Sequence, residues 1–93
     1  MIKAFADKRT RMVFAGECPK GFPSSILKVA RRKLKMVDAA VMPADLRAPP
    51  GNQLEALSGD RRGQHSIRIN DQWRICFVWT SEGPTDVEVV DYH

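Results

Sequence analysis

The sequence predicts one α+β domain in which an antiparallel sheet packs against two N-terminal helices. Apolar residues repeat at helical spacing in the first half of the chain and alternate with polar residues in the second half. Pro43, Pro49, Pro50 and Gly51 interrupt regular structure between the two halves. Because 93 residues support a single core, we expect one domain over residues 1–93.

The first half predicts a short strand followed by two helices. The segment MIKAFA alternates like a strand, Asp7 is a residue type that caps helices, and Gly16 is one that ends them. The segment PSSILKVARRKLKMVDAAV predicts the second helix, because apolar residues recur every three or four positions. These core-facing residues are Leu27, Ala30, Leu34, Val37 and Val41.

Basic residues occupy the opposite face of this second helix; they are Lys28, Arg31, Arg32 and Lys35. Residues 1–47 contain eleven Lys and Arg and four Asp and Glu, a net +7, while residues 48–93 contain four and seven, a net −3. A basic half favours a polyanionic partner such as nucleic acid. A solvated helix surface is the alternative.

The second half predicts an antiparallel meander. NQLEAL, QHSIRIN, WRICFVW and TDVEVVDY are typical of strands, and SGDRRG, DQ and SEGP of the connections between them. Alternation along WRICFVW places Ile75 and Phe77 on the core side, together with Trp73 and Trp79, and Arg74 on the other side with Cys76 and Val78.

Cysteine spacing and hydropathy bear on the compartment. Cys18 and Cys76 are far apart and fit no metal-binding pattern, so we expect a reduced, cytoplasmic protein. No stretch approaches the ~20 apolar residues of a membrane helix, and the segment MIKAFADKRT lacks the apolar region of a signal peptide. We therefore expect no membrane partner.

The segment LEALSGDRRGQHSIRINDQWRICFVW and the terminal VDYH resemble the RelE/ParE superfamily of toxins, in particular the HigB branch with its GraT-like members. The resemblance spans nearly the whole chain and implies a RelE-like fold. It implies a bacterial toxin that enters the ribosomal A site and cleaves messenger RNA during translation. It also implies a helix-turn-helix antitoxin of the HigA type, through which operator DNA would be contacted indirectly.

Carried over residue by residue, the resemblance implies a catalytic set consisting of Arg74, Asp91, Tyr92 and His93. Two positions depart from the family pattern. Glu55 stands where the family has a histidine, and Ser58 stands where it has a lysine. The departures leave the identity of the general base open, with Glu55 as one candidate.

These residue types suit RNA cleavage through the RNA's own 2′-hydroxyl. That reaction needs a base for the 2′-proton, a cation for the crowded phosphate and an acid for the departing 5′-oxygen. His93 can act as acid or base, Arg74 can grip phosphate oxygens, and Tyr92 or Asp91 can supply a proton. We expect neither a metal nor another cofactor.

Each of these roles has a structural alternative. His93 could be a solvated tail, and Arg74 could serve only to pair with Asp91 or Glu88 across the sheet. His65 alternates with isoleucines, which favours a structural role. Three further arginines could guide RNA through phosphate contacts or simply be solvated; they are Arg61, Arg62 and Arg68.

Two other function classes stay open. The same fold serves ParE-type proteins, which bind DNA gyrase and need no catalytic residues. The loss of the family histidine and lysine also allows a weakened nuclease that acts mainly as a regulatory partner of its antitoxin. The terminal DYH favours the nuclease, because a gyrase binder has no use for an imidazole beside an arginine.

Overall fold

A computed structural model describes residues 1–91 and shows two helices and a four-stranded sheet. The α-helices are α1, Lys8–Phe14, and α2, Leu27–Ala39. The strands are β1, Glu55–Ala56, β2, Gln64–Arg68, β3, Trp73–Thr80, and β4, Gly83–Asp91. All neighbours are antiparallel, in the order β1-β2-β3-β4. The predicted α+β class, with two N-terminal helices on an antiparallel sheet, is confirmed.

The ends of α1 follow from two residues that the sequence singled out. The Asp7 carboxylate accepts a hydrogen bond from the Thr10 backbone N–H at 2.8 Å and so caps the first turn. Gly16 has φ of +97° after the last turn. The N–H groups of Glu17 and Gly16 return to the carbonyls of Met12 and Val13, which closes the helix as a Schellman motif.

Three predicted elements are shorter than the sequence indicated. Residues 3–6 run beside β4 with a single bridge, Phe5 to Val87, because the chain turns into α1 at Asp7. The strand predicted in NQLEAL consists only of Glu55–Ala56. Helix α2 ends at Ala39, so the prediction that Val41 faces the core was wrong, and this side chain is 83% exposed.

The core lies between the helices and one face of the sheet. Ile75 and Phe77 on β3 are fully buried, as are Leu34 and Val37 on α2. Trp73 and Trp79 are partly buried and pack against this core. The predicted core face of β3 is therefore confirmed, and Arg74 with Cys76 lies on the opposite face.

Side chains of α1 fix the outer edge of β4. Thr10 Oγ1 accepts a hydrogen bond from the Val89 N–H at 3.0 Å, and Arg9 Nη2 donates to the Val89 carbonyl at 3.1 Å. The Arg9 guanidinium also lies over the rings of Phe22 and Trp73, 5.6 and 5.7 Å from their centroids. These contacts occupy backbone groups of an edge strand that would otherwise be open to pairing.

A bulge in β4 determines on which face of the sheet residues 87–90 lie. Cys76 pairs with Glu88 and Val78 with Thr85, so Asp86 and Val87 together stand opposite Phe77. Asp86 adopts φ of +51° there. Val87 returns to the core, and Glu88 and Val90 consequently lie on the opposite face.

Within residues 1–91, no helix has the length and apolar character that a membrane crossing would require.

The burial of Phe77 makes the packing directly testable. Phe77→Ala should lower the free energy of unfolding by about 3–5 kcal/mol, because it removes a fully buried ring from the centre of the core. Val41→Ala, at an 83% exposed position, is the control and should change stability by less than about 0.5 kcal/mol. Urea unfolding measures both variants, and equal effects would contradict the assignment of the core face.

Candidate active site

The second face of the sheet, away from the helices, brings together polar residues from all four strands. Ser66 pairs in register with Glu55 on one side and Cys76 on the other, and Cys76 pairs with Glu88. In the neighbouring row, Arg68 pairs with Arg74, and Arg74 with Val90. Residues directly opposite each other in an antiparallel sheet share a face, so these side chains form one surface.

Arg74 is the centre of this surface. Only 8% of the residue is exposed. Its Nε donates to Ser66 Oγ at 2.7 Å, and its Nη2 donates to the Gln53 carbonyl, also at 2.7 Å. A buried guanidinium is tolerated only when its N–H groups find acceptors, and these bonds fix the plane of the side chain.

Hydrogen bonds from Asn52 hold the loop before β1, which carries the Gln53 carbonyl that accepts from Arg74. Asn52 is fully buried, and its Nδ2 donates to the carbonyls of Leu46 and Ala48 at 3.2 and 3.3 Å. Gln53 follows in the left-handed region, with φ of +46°, where it ends the short 3-10 turn Pro50–Asn52. The orientation of Arg74 thus depends on a turn more than twenty positions earlier in the chain.

Glu55 supplies the countercharge to Arg74. Its Oε1 lies 3.5 Å from Arg74 Nη2, and its side chain is 53% exposed. The exposed carboxylate adds little to stability, but it stands at the rim of the surface where a substrate could reach it. The alternative pairing of Arg74 with Glu88 is not what the structure shows, because Glu88 contacts Arg61 instead.

The Arg61 side chain is about one-third exposed, and contacts within the fold hold its guanidinium. Its Nη1 donates to Gln64 Oε1 at 2.9 Å and lies 3.6 Å from Glu88 Oε1. These contacts tie the 3-10 turn Gly59–Arg61 to β2 and β4. Arg68 forms an ion pair with Asp71, while Arg62 is exposed. Of these three arginines, Arg62 is therefore the best placed to meet RNA.

Cys76 lies beneath this surface and is 1% exposed. Burial raises the pKa of the Cys76 thiol; Arg61 opposes this to a smaller extent, and Glu88 adds to it. A thiol that keeps its proton is a poor nucleophile. We therefore assign Cys76 a role in packing and none in catalysis.

Lys33 adds a buried cation at the end of the sheet where β2 finishes. It is 5% exposed, and its Nζ donates to the Arg68 carbonyl at 2.6 Å. Burial lowers the pKa of Lys33, and the nearby positive charges of Arg32, Arg68 and Arg74 lower it further. Positive charge is therefore concentrated where Arg74 lies.

Asp91 lies on the other side of the sheet from Arg74. It pairs in register with Trp73, on the helix-facing side, and its Oδ2 accepts a hydrogen bond from Gln72 Nε2 at 3.1 Å. Val90, the register partner of Arg74, immediately precedes it. The described part of β4 thus passes beside Arg74, and the predicted catalytic residues Tyr92 and His93 lie outside the described residues.

Only part of the basic face of α2 is exposed and free to contact a partner. Lys28, Arg32 and Lys35 are exposed. Arg31 is half-buried, and its Nε donates to the Val13 carbonyl at 3.1 Å, which ties α2 to α1. Lys35 Nζ lies 4.4 Å from the centroid of the Phe14 ring. Arg31 is therefore a brace between helices, and the remaining three form the exposed basic surface.

Sequence reasoning missed several residues that shape the site. Ser66 and Gln53 gave no signal, because their contacts with Arg74 depend on register and on a turn. Lys33 did leave a signal: it lies three residues after Ala30 and four before Val37, which is a core position. The ring of His65, for which the sequence favoured a structural role, stacks on the ring of Phe77.

No group of three or more His, Cys, Asp and Glu residues within positions 1–91 is arranged to hold a metal ion.

Comparison with known families decides the relationship. The model of a family described as HigB-like, the RelE-like toxin of the type II toxin-antitoxin system HigB, matches residues 3–93. The chain belongs to the HigB-like toxins. The resemblance stated from the sequence motifs is thereby confirmed, and membership of a type II toxin-antitoxin family implies an antitoxin partner for this HigB-like toxin.

Individual relatives agree. Toxin HigB-1 of Vibrio cholerae is 45% identical over 73 residues, which cover 78% of this chain and 67% of the relative. A protein of Proteus vulgaris named Endoribonuclease HigB is 29% identical over 93 residues, all of both chains. An uncharacterized protein of Haemophilus influenzae is 40% identical over 64 residues, covering 69% and 63% respectively.

The hydrogen bond between Ser66 and Arg74 predicts a positioning effect. Ser66→Ala should reduce RNA cleavage about tenfold, because a hydrogen bond to a charged group contributes about 1.5–3 kcal/mol and its loss frees the guanidinium to turn. Cleavage in a translating extract and the melting temperature are measured together. Ser81→Ala, at an exposed position in the turn between β3 and β4, is the control. Full activity in Ser66→Ala would show that Ser66 does not orient Arg74.

The lowered pKa of Lys33 predicts how stability depends on pH. The folded protein holds this proton more weakly than the unfolded chain does, so the contribution of Lys33 to stability increases as the pH rises through the lowered folded pKa. Lys33→Met lacks this increase. The wild type should therefore gain stability relative to the variant as the pH rises from the lowered folded pKa towards the unperturbed lysine value of about 10.4.

Urea unfolding at a series of pH values measures this difference. Lys28→Met removes one positive charge from an exposed position of the same helix and is the control for the loss of charge alone. A difference between wild type and Lys33→Met that stays constant with pH would contradict the prediction.

Proposed function

We propose that this HigB-like toxin is a ribosome-dependent endoribonuclease that cleaves messenger RNA during translation. The observation that carries the proposal is the Arg74 guanidinium, fixed by Ser66 and Gln53 on the second face of the sheet, with Glu55 beside it. The name of the Proteus vulgaris relative, Endoribonuclease HigB, agrees with this activity. The proposed site acts in the cytoplasm, where ribosomes and messages are found.

The proposed reaction uses the RNA's own 2′-hydroxyl. A base removes its proton, the 2′-oxygen forms a bond to phosphorus, and the bond from phosphorus to the 5′-oxygen breaks. The products are a 2′,3′-cyclic phosphate and a 5′-hydroxyl, which receives a proton from the general acid. Arg74 stabilises the charge on the phosphate, and its fixed plane means that little reorientation is needed as the charge develops.

Proton transfer falls to groups at the edge of this surface. Glu55 is partly exposed and 3.5 Å from Arg74, which suits it to be the base or to hold His93 as the base. His93 and Tyr92 follow a strand whose described part passes beside Arg74, and we assign the acid to one of them. Asp91 contacts Gln72 on the other side of the sheet, so we assign it to positioning the chain end.

The ribosome supplies what the free protein lacks, namely a message held in reactive geometry. We propose that exposed basic residues contact the phosphates of ribosomal or messenger RNA. These residues are Lys28, Arg32 and Lys35 on α2, together with Arg62. We further propose that the antitoxin is a helix-turn-helix protein of the HigA type, which carries the complex to operator DNA.

Primer extension on a message in a translating extract tests the function. Arg74→Ala and His93→Gln should each reduce cleavage by about 10²–10³-fold, the usual cost of losing a group that stabilises the transition state. Both proteins should remain folded and bound by the antitoxin. Arg11→Ala, an exposed arginine on α1, is the matched control and should cleave like wild type.

The contrary outcome is equally specific. If a protein lacking Tyr92 and His93 arrests growth as strongly as wild type without cleaving messages, the terminal residues have no catalytic role. The ParE-like alternative, inhibition of DNA gyrase by binding, would then be the better account of toxicity.

A further inference from the structure

Residues 3–6 form the outer boundary of the sheet beside β4; we call them the edge segment. The Ala6 N–H donates to the Val87 carbonyl at 2.9 Å, and the Val87 N–H donates to the Ala4 carbonyl at 3.2 Å. Further along β4, the N–H and C=O of Val89 are bonded to side chains of α1. The backbone that remains open on this side of the sheet therefore belongs to the edge segment.

The edge segment directs unpaired backbone groups outward. Successive residues of a paired strand turn their N–H and C=O groups to opposite sides. Because Ala4 and Ala6 bond to β4, the groups of Phe5 between them point away from the sheet. Within residues 1–91, neither the N–H nor the C=O of Phe5 makes a backbone hydrogen bond. An open edge of this kind can pair with an added strand.

The side chains of the edge segment leave room for such a strand and hold the backbone in place. Ala4 and Ala6 are exposed, and each carries only a methyl group. The Phe5 ring packs against the Phe14 ring, with centroids 5.4 Å apart. The template for pairing is therefore preformed.

A cleft of about 440 Å³ runs along the edge segment and the start of α1. Three cationic side chains line it, Lys3, Lys8 and Arg11, and one anionic side chain, Asp7, whose carboxylate caps α1. Lys3 Nζ lies 3.8 Å from Glu82 Oε1. The ion pairs within residues 1–91 include neither Lys8 nor Arg11, and both are exposed. The cleft therefore has an excess of positive charge.

We propose that the antitoxin binds this edge through an extended acidic segment, which adds a strand outside the edge segment. The Phe5 N–H donates to the added strand, and the Phe5 carbonyl accepts from it. Carboxylates of the added strand face Lys8 and the other cations of the cleft. The family to which the chain belongs implies such a partner, and the proposal does not depend on cleavage of messages.

Other occupants fit this edge less well. RNA would complement the cations, but its backbone does not present alternating N–H and C=O groups at the spacing of a strand, and Asp7 would repel its phosphates. A second copy of the toxin would bring the same three cations into contact with themselves. The opposite edge of the sheet lacks the charge excess, because Arg47 and Glu55 balance each other in the cleft beside β1.

Reversing one charge of the cleft tests the electrostatic part of the proposal. Lys8→Glu should weaken binding of the purified antitoxin by about tenfold or more at about 0.15 M salt, because carboxylates would then face a carboxylate. Lys20→Glu makes the same change at an exposed position outside the cleft and should bind like wild type. Biolayer interferometry measures affinity, and melting temperatures check that both variants are folded.

Hydrogen exchange of the Phe5 amide tests the pairing itself. This amide should exchange rapidly in the free toxin and at least about tenfold more slowly in the complex with the antitoxin, because the added strand accepts its hydrogen bond. The Ala56 amide is the matched control. It lies on the outer side of β1, at the opposite edge of the sheet, and its exchange should not change.

The contrary outcomes are distinct. Wild-type affinity in Lys8→Glu, or a Phe5 amide that stays unprotected in the complex, would overturn the proposal. Protection of Phe5 by a uridine oligomer and not by the antitoxin would make the edge an RNA surface. Protection that increases with the concentration of toxin alone would assign the edge to a second copy, and either result overturns the proposal. If wild type fails to cleave messages, the proposed function fails while these binding measurements keep their meaning.

Discussion

The burial of one guanidinium is the constraint on which the site depends. Arg74 is 8% exposed, and a charged group can be buried only if its hydrogen bonds are satisfied. Ser66 and the Gln53 carbonyl meet that requirement. Asn52 in turn holds the turn that carries Gln53. The requirement that Arg74 be bonded therefore links the middle of the sheet to an irregular loop, and the loop positions Glu55 at the start of β1.

The two faces of the sheet have different roles, one in stability and the other in the candidate active site. The face toward α1 and α2 is apolar and supplies stability, with Phe77 at its centre. The opposite face collects charged and polar groups from every strand. Helix α1 also contacts the sheet directly, because Thr10 and Arg9 bind Val89 at the outer edge of β4. Packing on one face thus determines the geometry available to chemistry on the other.

Positive charges near the candidate active site repel one another, and several neighbouring groups reduce this repulsion. Arg68 and Arg74 are direct register partners, and Lys33 is buried close to both. Asp71 and Glu55 each neutralise one arginine, while the pKa of Lys33 is lowered by burial and by its neighbours. An anion that entered the site would relieve the same repulsion. A local concentration of positive charge is what a polyanionic substrate requires, and here it costs the free protein some stability.

The sequence by itself determined the fold class, the core face of β3 and the position of Arg74 on the opposite face, because alternation and helical spacing are local properties of the chain. It also gave the Asp7 cap and the family. It could not give the partners of Arg74, since Ser66 and Gln53 reach it only through strand register and a left-handed turn. Nor could it separate Arg31 from the exposed basic face, because its bond to Val13 exists only when two helices meet. Tertiary structure decided those contacts, which join residues distant in the chain.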